Sequence, residues 1–221
     1  MTTSTSTSTT ARISGIVAPL LRDNVDTDAI LRSSDIDGVG KLGFGARLFA
    51  GWREADPGFV LNREPYRRAT ILLARKNFGC GSSREAAVWA LRGFGIRSVI
   101  AGGFGGIFHA SCIANGLVPV VLAEAQIEAL AAQIEASDGA AHAVVDLAAQ
   151  VVVAPDGQTF RFALAAIHRE ILLGAPNAIG VTLKRDAELA AFERRDRVKR
   201  PWSYLTSSSN PDGGDGRAGP V

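Results

Sequence analysis

The sequence predicts an α/β fold, and two observations support this prediction. Short apolar runs rich in β-branched residues alternate along the chain with segments of helical period, as in a sheet covered by helices. The 221 residues are 47% hydrophobic and 21% charged, which is enough apolar material for one compact domain with its own core. We therefore expect a single folded domain of mixed helix and strand.

Seven strands are expected from the apolar runs. In chain order they are Ile13–Ala18, Thr70–Ala74, Ser98–Ala101, Val118–Leu122, Val144–Leu147, Val151–Ala154 and Thr159–Ala163. Asp156-Gly157 between the last two runs is the strongest hairpin signal in the chain. The last two strands are therefore expected to pair antiparallel.

Four helices are expected from segments of helical period. They lie near Arg84–Gly93, Gly105–Asn115, Glu124–Ala136 and Asp186–Arg197. Asn115-Gly116 is a suitable left-handed stop for the second of these helices. The stretch from Asp23 to Arg68 has only weak periodicity and contains six glycines. So long a loop-rich stretch inside a domain is more often functional than not.

Both ends of the sequence have a composition typical of disorder. Residues 1–10 are Ser and Thr apart from the first Met, and residues 207–221 combine Ser, Gly, Pro and Asp with few apolar side chains. Such segments bury too little surface to offset the entropy lost on ordering. We therefore expect one domain over residues 11–206 between two disordered tails.

Charge and hydropathy exclude several classes of protein. The chain has 24 Lys and Arg against 22 Asp and Glu, a net charge of +2, which is too weak for a dedicated nucleic-acid binder. No apolar run approaches the roughly 18 residues of a membrane span. We therefore expect a soluble cytoplasmic protein that binds neither nucleic acid nor membrane.

The chain has only two cysteines, Cys80 and Cys112. This number excludes a disulfide framework, a complete iron–sulfur site and an all-thiolate zinc site. Cys80 lies near the start of a predicted helix, where it could sense redox conditions or simply fill space beside a loop. Cys112 has apolar neighbours and is expected in the core.

The most informative segment is Asn77–Glu85, NFGCGSSRE, between an apolar strand and an amphipathic helix. Its glycines permit a tight turn. Ser82 and Glu85 have the spacing of a capping box, so Ser82 or Ser83 is expected to cap the helix. Free amides at a helix start, two hydroxyls and Arg84 would together form an anion site. The alternative is an ordinary capped turn with Arg84 on the surface.

Other catalytic and ligand-binding signatures are absent or out of context. There is no phosphate-binding G-x-x-x-x-G-K-[ST] loop and no G-x-S-x-G serine. The glycine pattern at Gly38–Gly43 follows a polar segment instead of a buried strand, so a dinucleotide site is not expected. His109, His142 and His168 lack the spacing of metal ligands, so structural roles and no metal site are expected.

Four motifs in order resemble the small subunits of 3-isopropylmalate dehydratase. They are NVDTDAI at Asn24–Ile30, GFGARLFAGWR at Gly43–Arg53, NFGCGSSRE after ILLAR, and IFHASCIANGLVPVVL at Ile107–Leu122. The resemblance runs from about Ile13 to Tyr204. It implies a compact swivelling β/β/α domain of the kind found at the C-terminus of aconitase. It also implies a separate large subunit that carries a [4Fe–4S] cluster, with no cofactor on this chain.

The resemblance further implies an activity and roles for individual residues. The family interconverts 2-isopropylmalate and 3-isopropylmalate by dehydration and rehydration in leucine biosynthesis. Ser82 would be the base, with Ser83 as a neighbouring donor, and Arg84 would bind a substrate carboxylate. Thr27 and Asp28 match a segment that approaches the active site, so Asp28 is grouped with the catalytic residues and Thr27 with the substrate-binding ones.

Five positions depart from the usual family motifs. Ala86 replaces His, Val88 replaces Pro, Gly103 replaces Ser, Gly106 replaces Asp, and Arg32 replaces Pro. Arg32 is expected to face the variable group of the substrate, where a cation would suit a group more acidic than isopropyl; the alternative is an exposed loop arginine. These departures leave open a related subunit for another hydroxy diacid, of methylmalate or homoaconitate type, and a partner subunit without catalytic activity.

Overall fold

The computed structural model describes residues 11–36, 43–82, 84–137, 141–174 and 186–204. The described residues up to 174 form one compact unit, and those from 186 onward form a second. The two predicted tails, residues 1–10 and 207–221, lie outside the described residues. The prediction of a single domain over residues 11–206 between two disordered tails stays a prediction.

The first unit is built on a sheet of seven strands. They are β1 Arg12–Leu20, β2 Ile71–Ala74, β3 Ser98–Ala101, β4 Val118–Val121, β5 His142–Asp146, β6 Val151–Val153 and β7 Thr159–Arg161. Their order in the sheet is β4-β3-β2-β1-β5-β6-β7. Neighbours from β4 to β1 are parallel, and those from β1 to β7 are antiparallel. All seven predicted strands are confirmed, including the hairpin at Asp156-Gly157.

The two halves of the sheet differ in burial. Every residue of β2 and β3 is buried, as expected of parallel strands covered on both faces. In β5, β6 and β7 buried residues alternate with more exposed ones, as expected of strands with one face toward the core. The sheet is therefore fully covered at β2 and β3, the two inner strands of the parallel half, and partly exposed over its antiparallel half.

In the part of the chain that the structure describes, seven α-helices accompany the strands. They are α1 Thr27–Ile30, α2 Ala50–Ala55, α3 Glu85–Phe94, α4 Gly106–Ala114, α5 Glu124–Ala136, α6 Ala166–Leu172 and, in the second unit, α7 Asp186–Lys199. The four predicted helices correspond to α3, α4, α5 and α7, and the bounds of α5 agree in full. No described helix combines the length and the hydropathy that crossing a membrane requires.

The irregular stretch after β1 is well packed despite its weak periodicity. It contains α1, α2 and four short 3₁₀ turns, namely Ser33–Asp35, Phe44–Arg47, Val60–Asn62 and Tyr66–Arg68. Leu48, Phe49 and Leu61 are fully buried, and Phe49 stacks on Trp52 with ring centroids 5.3 Å apart. This stretch therefore contributes buried side chains to the hydrophobic core.

The beginning of α3 differs from the predicted capping box. The helix begins at Glu85, and Arg84 takes the cap position without any side-chain hydrogen bond to the helix. Glu85 instead accepts a hydrogen bond from Nδ2 of Asn115 at 2.8 Å. The prediction that Ser82 and Glu85 form a capping box is therefore wrong, because a contact 30 residues along the chain engages Glu85. Ser83 lies outside the described residues.

Candidate active site

The candidate site lies at one edge of the parallel half of the sheet. Parallel strands end at the same edge, so the segments that follow β1, β2 and β3 meet there. These segments contain the NVDTDAI motif, the NFGCGSSRE motif and residues 102–105, respectively. The fold thus brings together two of the four motifs that the sequence analysis singled out.

The loop after β2 is held by backbone hydrogen bonds on both sides. On one side the Gly79 amide donates to the Val25 carbonyl at 2.7 Å, and the Thr27 amide donates to the Cys80 carbonyl at 3.1 Å. On the other side Phe78 donates to the Gly103 carbonyl and accepts from the Gly105 amide, each at 2.9 Å. Residues 78–80 therefore have a fixed backbone.

Gly79 packs against an aromatic cluster beneath the loop. Its φ is +70°, and a Cβ at this position would lie 2.2 Å from Cγ of Phe108. Phe108 is fully buried and contacts Phe78 and Phe104, with ring centroids 5.6 and 6.5 Å away. Only glycine combines this backbone conformation with this close approach.

Thr27 supports the loop from the neighbouring segment. Its side chain is 1% exposed, and Oγ1 donates a hydrogen bond to the Ser82 carbonyl at 2.9 Å. Asp26 precedes it and caps α1 by accepting from the Ala29 amide at 2.7 Å. The structure therefore places Thr27 behind the backbone of Ser82, and substrate binding by Thr27 itself stays a prediction.

Arg84 is bound by two side chains of the segment after β1. Its Nη1 donates to Oδ1 of Asp28 at 2.7 Å and to Oγ of Ser33, and its Nη2 lies 3.4 Å from Oδ2 of Asp28. Among the described residues none accepts a hydrogen bond from Nε. The guanidinium is therefore held at its Nη1 end, and its Nε edge remains available to a ligand.

Ser82 is exposed at the surface of the loop, two residues before Arg84. Its carbonyl is fixed by Thr27, whereas its hydroxyl forms no hydrogen bond with any described residue. The loop therefore presents an exposed hydroxyl two residues before a positioned cation. This arrangement can bind a carboxylate and exchange a proton with the group next to it.

Arg32 belongs to an internal ion cluster. Its guanidinium donates to Asp35 through Nε at 2.7 Å and to Glu54 on α2 through Nη1 at 3.0 Å, and its Nη2 lies within reach of both carboxylates. The hydrogen bonds that Arg32 donates to Asp35 and then to Glu54 raise the pKa of Arg32, and the bond that Asp35 accepts from Arg32 lowers the pKa of Asp35. Four donor contacts to protein acceptors leave this side chain little capacity for substrate, so its substrate contact stays a prediction.

Two features of the site were missed by sequence reasoning. Ser33 carried no signal of its own in the sequence, although it contacts both Asp28 and Arg84. Asn24 and Asn77 both have left-handed backbone conformations, with φ of +54° and +60°, and Nδ2 of Asn77 donates to Oδ1 of Asn24 at 2.8 Å. Asn tolerates this conformation well, so its occurrence in both motifs was a usable signal.

The cysteines and histidines differ in their surroundings. Cys112 is fully buried, which confirms its prediction as a core residue, and burial raises the pKa of its thiol. Cys80 is half-buried within the loop.

His109 on α4 lies 5.7 Å from His168 on α6, measured between ring centroids, and burial lowers the pKa of His109. Within the described ranges, no three His, Cys, Asp or Glu side chains are grouped as metal ligands would be.

Comparison with known proteins decides the family. The model of the aconitase C-terminal domain matches residues 7–125, and a model described as LeuD_N matches residues 128–166. A 3-isopropylmalate dehydratase small subunit from Cupriavidus necator is 48% identical over 198 residues, covering 86% of this chain and 95% of that protein. This chain belongs to the 3-isopropylmalate dehydratase small-subunit family. The resemblance found in the sequence motifs is thereby confirmed.

Other members of the small-subunit family agree in sequence and fold. The protein of the same description from Dechloromonas aromatica is 44% identical over 207 residues, which cover 87% of this chain and 97% of that protein. A crystal structure of 3-isopropylmalate dehydratase from Methanocaldococcus jannaschii matches with a TM-score of 0.59 and 26% identity, covering 81% of this chain and 98% of the other. The predicted α/β fold of the aconitase C-terminal type is confirmed.

Apart from Arg32, the positions that depart from the small-subunit family motifs fall into two groups. Ala86 and Val88 are both buried residues of α3 and belong to the core. Gly103 and Gly106 are different, because a Cβ on either would meet nothing closer than about 4 Å. The departures therefore leave the packing of the site intact and leave open space at the start of α4.

Proposed function

We propose that this chain is the small subunit of a 3-isopropylmalate dehydratase that acts in leucine biosynthesis in the cytoplasm. In this proposal it joins a large subunit and contributes a base and a carboxylate-binding arginine to the interconversion of 2-isopropylmalate and 3-isopropylmalate. Relatives of this description are 42–48% identical over 86–88% of the chain. The observation that carries the proposal is the fixed loop that presents Ser82 and Arg84 together.

Arg84 supplies the substrate contact. A substrate carboxylate at its Nε edge would accept two parallel hydrogen bonds from Nε and Nη2, the geometry that a guanidinium favours. Asp28 would keep its place at the Nη1 end, where it holds the side chain in position. In this proposal Asp28 is therefore a positioning residue, and Arg84 contacts the substrate.

Ser82 supplies proton transfer. In its alkoxide form it would take the proton from the carbon next to the bound carboxylate. The electron pair of that C–H bond then forms the carbon–carbon double bond as the hydroxyl leaves the adjacent carbon. In the rehydration step the hydroxyl adds to the carbon that lost the proton, and the proton adds to the carbon that lost the hydroxyl. Arg84 and the free amides at the start of α3 provide the positive potential that lowers the energy of the alkoxide.

The iron–sulfur cluster of the family is assigned in this proposal to the large subunit. The two cysteines of this chain cannot supply the ligands of such a cluster, and Cys112 is fully buried in the core. When bound there, the cluster supplies Lewis-acid assistance to the departing hydroxyl. The residues of this chain then have two tasks, which are proton transfer and orientation of the substrate.

The identity of Arg32 bears on the choice of substrate. A free cation beside the variable group would favour a diacid with an additional acidic group. Arg32 is instead engaged by Asp35 and Glu54, so it gives no support to such a substrate. We therefore propose an isopropylmalate substrate over one of homoaconitate type. The names of the relatives favour isopropylmalate over a methylmalate type, and the presence of Ser82 and Arg84 favours a catalytic subunit over an inactive partner.

Reconstitution tests the proposed function directly. The purified chain should contain no iron and should show no dehydratase activity until a large subunit with its cluster is added. The complex should then convert 2-isopropylmalate with a higher kcat/KM than methylmalate or homoaconitate. Iron content and turnover of the three diacids are measured before and after mixing. Activity of the chain alone with stoichiometric iron, or a clear preference for another diacid, would contradict the proposal.

Arg84→Lys should weaken substrate binding while the fold is retained. The ammonium keeps the charge but loses the planar pair of donors, which costs about 1.5–3 kcal/mol, the scale of a hydrogen bond to a charged group. KM of the reconstituted complex should rise roughly tenfold to a hundredfold. Arg68→Lys is the matched control, because Arg68 is exposed and, among the described residues, pairs with Glu64 alone. An unchanged KM for Arg84→Lys would remove Arg84 from the substrate site.

A further inference from the structure

We propose that Ser33 is a positioning residue for Arg84, an inference that rests on the proposed function of Arg84 in binding substrate. Ser33 is exposed, and its hydroxyl is placed between the two charged groups of the site. It accepts a hydrogen bond from Nη1 of Arg84 and donates one to Oδ1 of Asp28 at 3.2 Å. One hydroxyl therefore links the cation to the carboxylate that holds it.

The Ser33 hydroxyl determines which part of the guanidinium remains free. Nη1 has two N–H groups, and these are occupied by Asp28 and Ser33. Because both donors of Nη1 are filled, a substrate carboxylate is directed to the Nε edge. Without Ser33 one N–H of Nη1 would lose its partner, and the long side chain would gain freedom to turn its free donors away from the substrate.

The backbone of Ser33 is itself held in place from both ends of its 3₁₀ turn. Arg32 precedes it and Asp35 lies two residues after it, and these two side chains form an ion pair at 2.7 Å. Arg32 also pairs with Glu54 at 3.0 Å, which ties the turn to α2. The ion cluster of Arg32, which does not contact Arg84, thus acts on the site through the position of Ser33.

The placement of Ser33 predicts a specific kinetic effect. Ser33 does not touch the reacting atoms, so Ser33→Ala should raise KM and leave kcat nearly unchanged. The rise should be roughly five- to tenfold, the scale of one ordinary intramolecular hydrogen bond, because Ser33 acts on the substrate only through Arg84. Ser33→Thr keeps a hydroxyl at the same position and should restore KM to within about twofold of the unsubstituted chain. A hydroxyl-independent packing role would show no such rescue.

The experiment compares Ser33→Ala, Ser33→Thr and Ser34→Ala in the reconstituted complex. Ser34 is the matched control, because it lies in the same 3₁₀ turn, is exposed, and has no hydrogen bond to a described side chain. KM and kcat for 2-isopropylmalate are measured together with the Kd of 2-isopropylsuccinate, which lacks the departing hydroxyl. The Kd is determined by calorimetry, and it should rise with Ser33→Ala by the same factor as KM.

The outcomes separate this inference from the proposed function. If Arg84→Lys raises KM and Ser33→Ala does not, Ser33 does not position Arg84 and the proposed function stands. If neither substitution changes KM, the assignment of Arg84 to the substrate site is itself wrong. If Ser33→Thr fails to restore KM, or Ser33→Ala lowers kcat and Tm together, the role of Ser33 is structural and the inference is overturned.

Discussion

Ser82→Ala is expected to lower kcat of the reconstituted enzyme by roughly two to four orders of magnitude, the range measured for general bases. KM should change little, because in the proposed mechanism the hydroxyl acts on the proton in the transition state and Arg84 binds the substrate independently of it. Ser82 is exposed, so its replacement by alanine leaves no cavity in the core. Steady-state turnover of 2-isopropylmalate measures the effect.

Three measurements make the Ser82 result decisive. Association with the large subunit and Tm should match those of the unsubstituted chain, since the Ser82 carbonyl keeps its bond from Thr27. Ser34→Ala, an equally small change at another exposed serine, should leave kcat unchanged. Near-normal turnover by Ser82→Ala would show that the base lies elsewhere and that the loop serves only to bind the substrate.

Gly79→Ala is expected to reduce the free energy of unfolding by about 2–5 kcal/mol. The left-handed backbone at φ +70° costs an L-residue about 1–2 kcal/mol. The new methyl group would overlap the Phe108 ring, at 2.2 Å from its Cγ, and overpacking of this kind costs about 1–3 kcal/mol. Urea denaturation of the isolated subunit measures the loss.

Gly106→Ala is the control for this substitution. A Cβ on Gly106 would meet nothing within 4 Å, and the residue lies in the first turn of α4. Replacing a helical glycine by alanine stabilises by roughly 0.5–1 kcal/mol, so stability should stay equal or rise slightly. Equal stability of Gly79→Ala and the unsubstituted chain would contradict the tight contact between the loop and Phe108.

Much of the fold could be predicted because its signals are local. The seven strands are short apolar runs, and α5 shows its buried face through Ile127, Leu130 and Ile134 at helical spacing. The helices α2 and α6 have only six and seven residues, too few for a clear period. The capping box failed for a different reason, since Asn115 engages Glu85 through a tertiary contact that no local pattern reveals.

The site could be predicted only in part, and the limit again lies in sequence distance. The glycines and polar groups of NFGCGSSRE are contiguous, so their chemistry can be read from the segment itself. Thr27 contacts Ser82 across 55 positions, and Asp28 contacts Arg84 across 56. Local sequence spacing cannot show that residues so far apart in the chain are in contact. Only the family resemblance placed both segments at one site. Arg32 was interpreted by its charge alone, without the carboxylates that engage it.

The double-sided backbone pairing of residues 78–80 has a consequence for assembly. Because the neighbouring segments already hold this loop from both sides, its conformational entropy is lost when the subunit folds and not when the large subunit arrives. In the proposed complex, residues 78–80 are thus preorganised before the two subunits meet. Docking then orders no further backbone at these three residues, and the affinity between the subunits is not reduced by that cost.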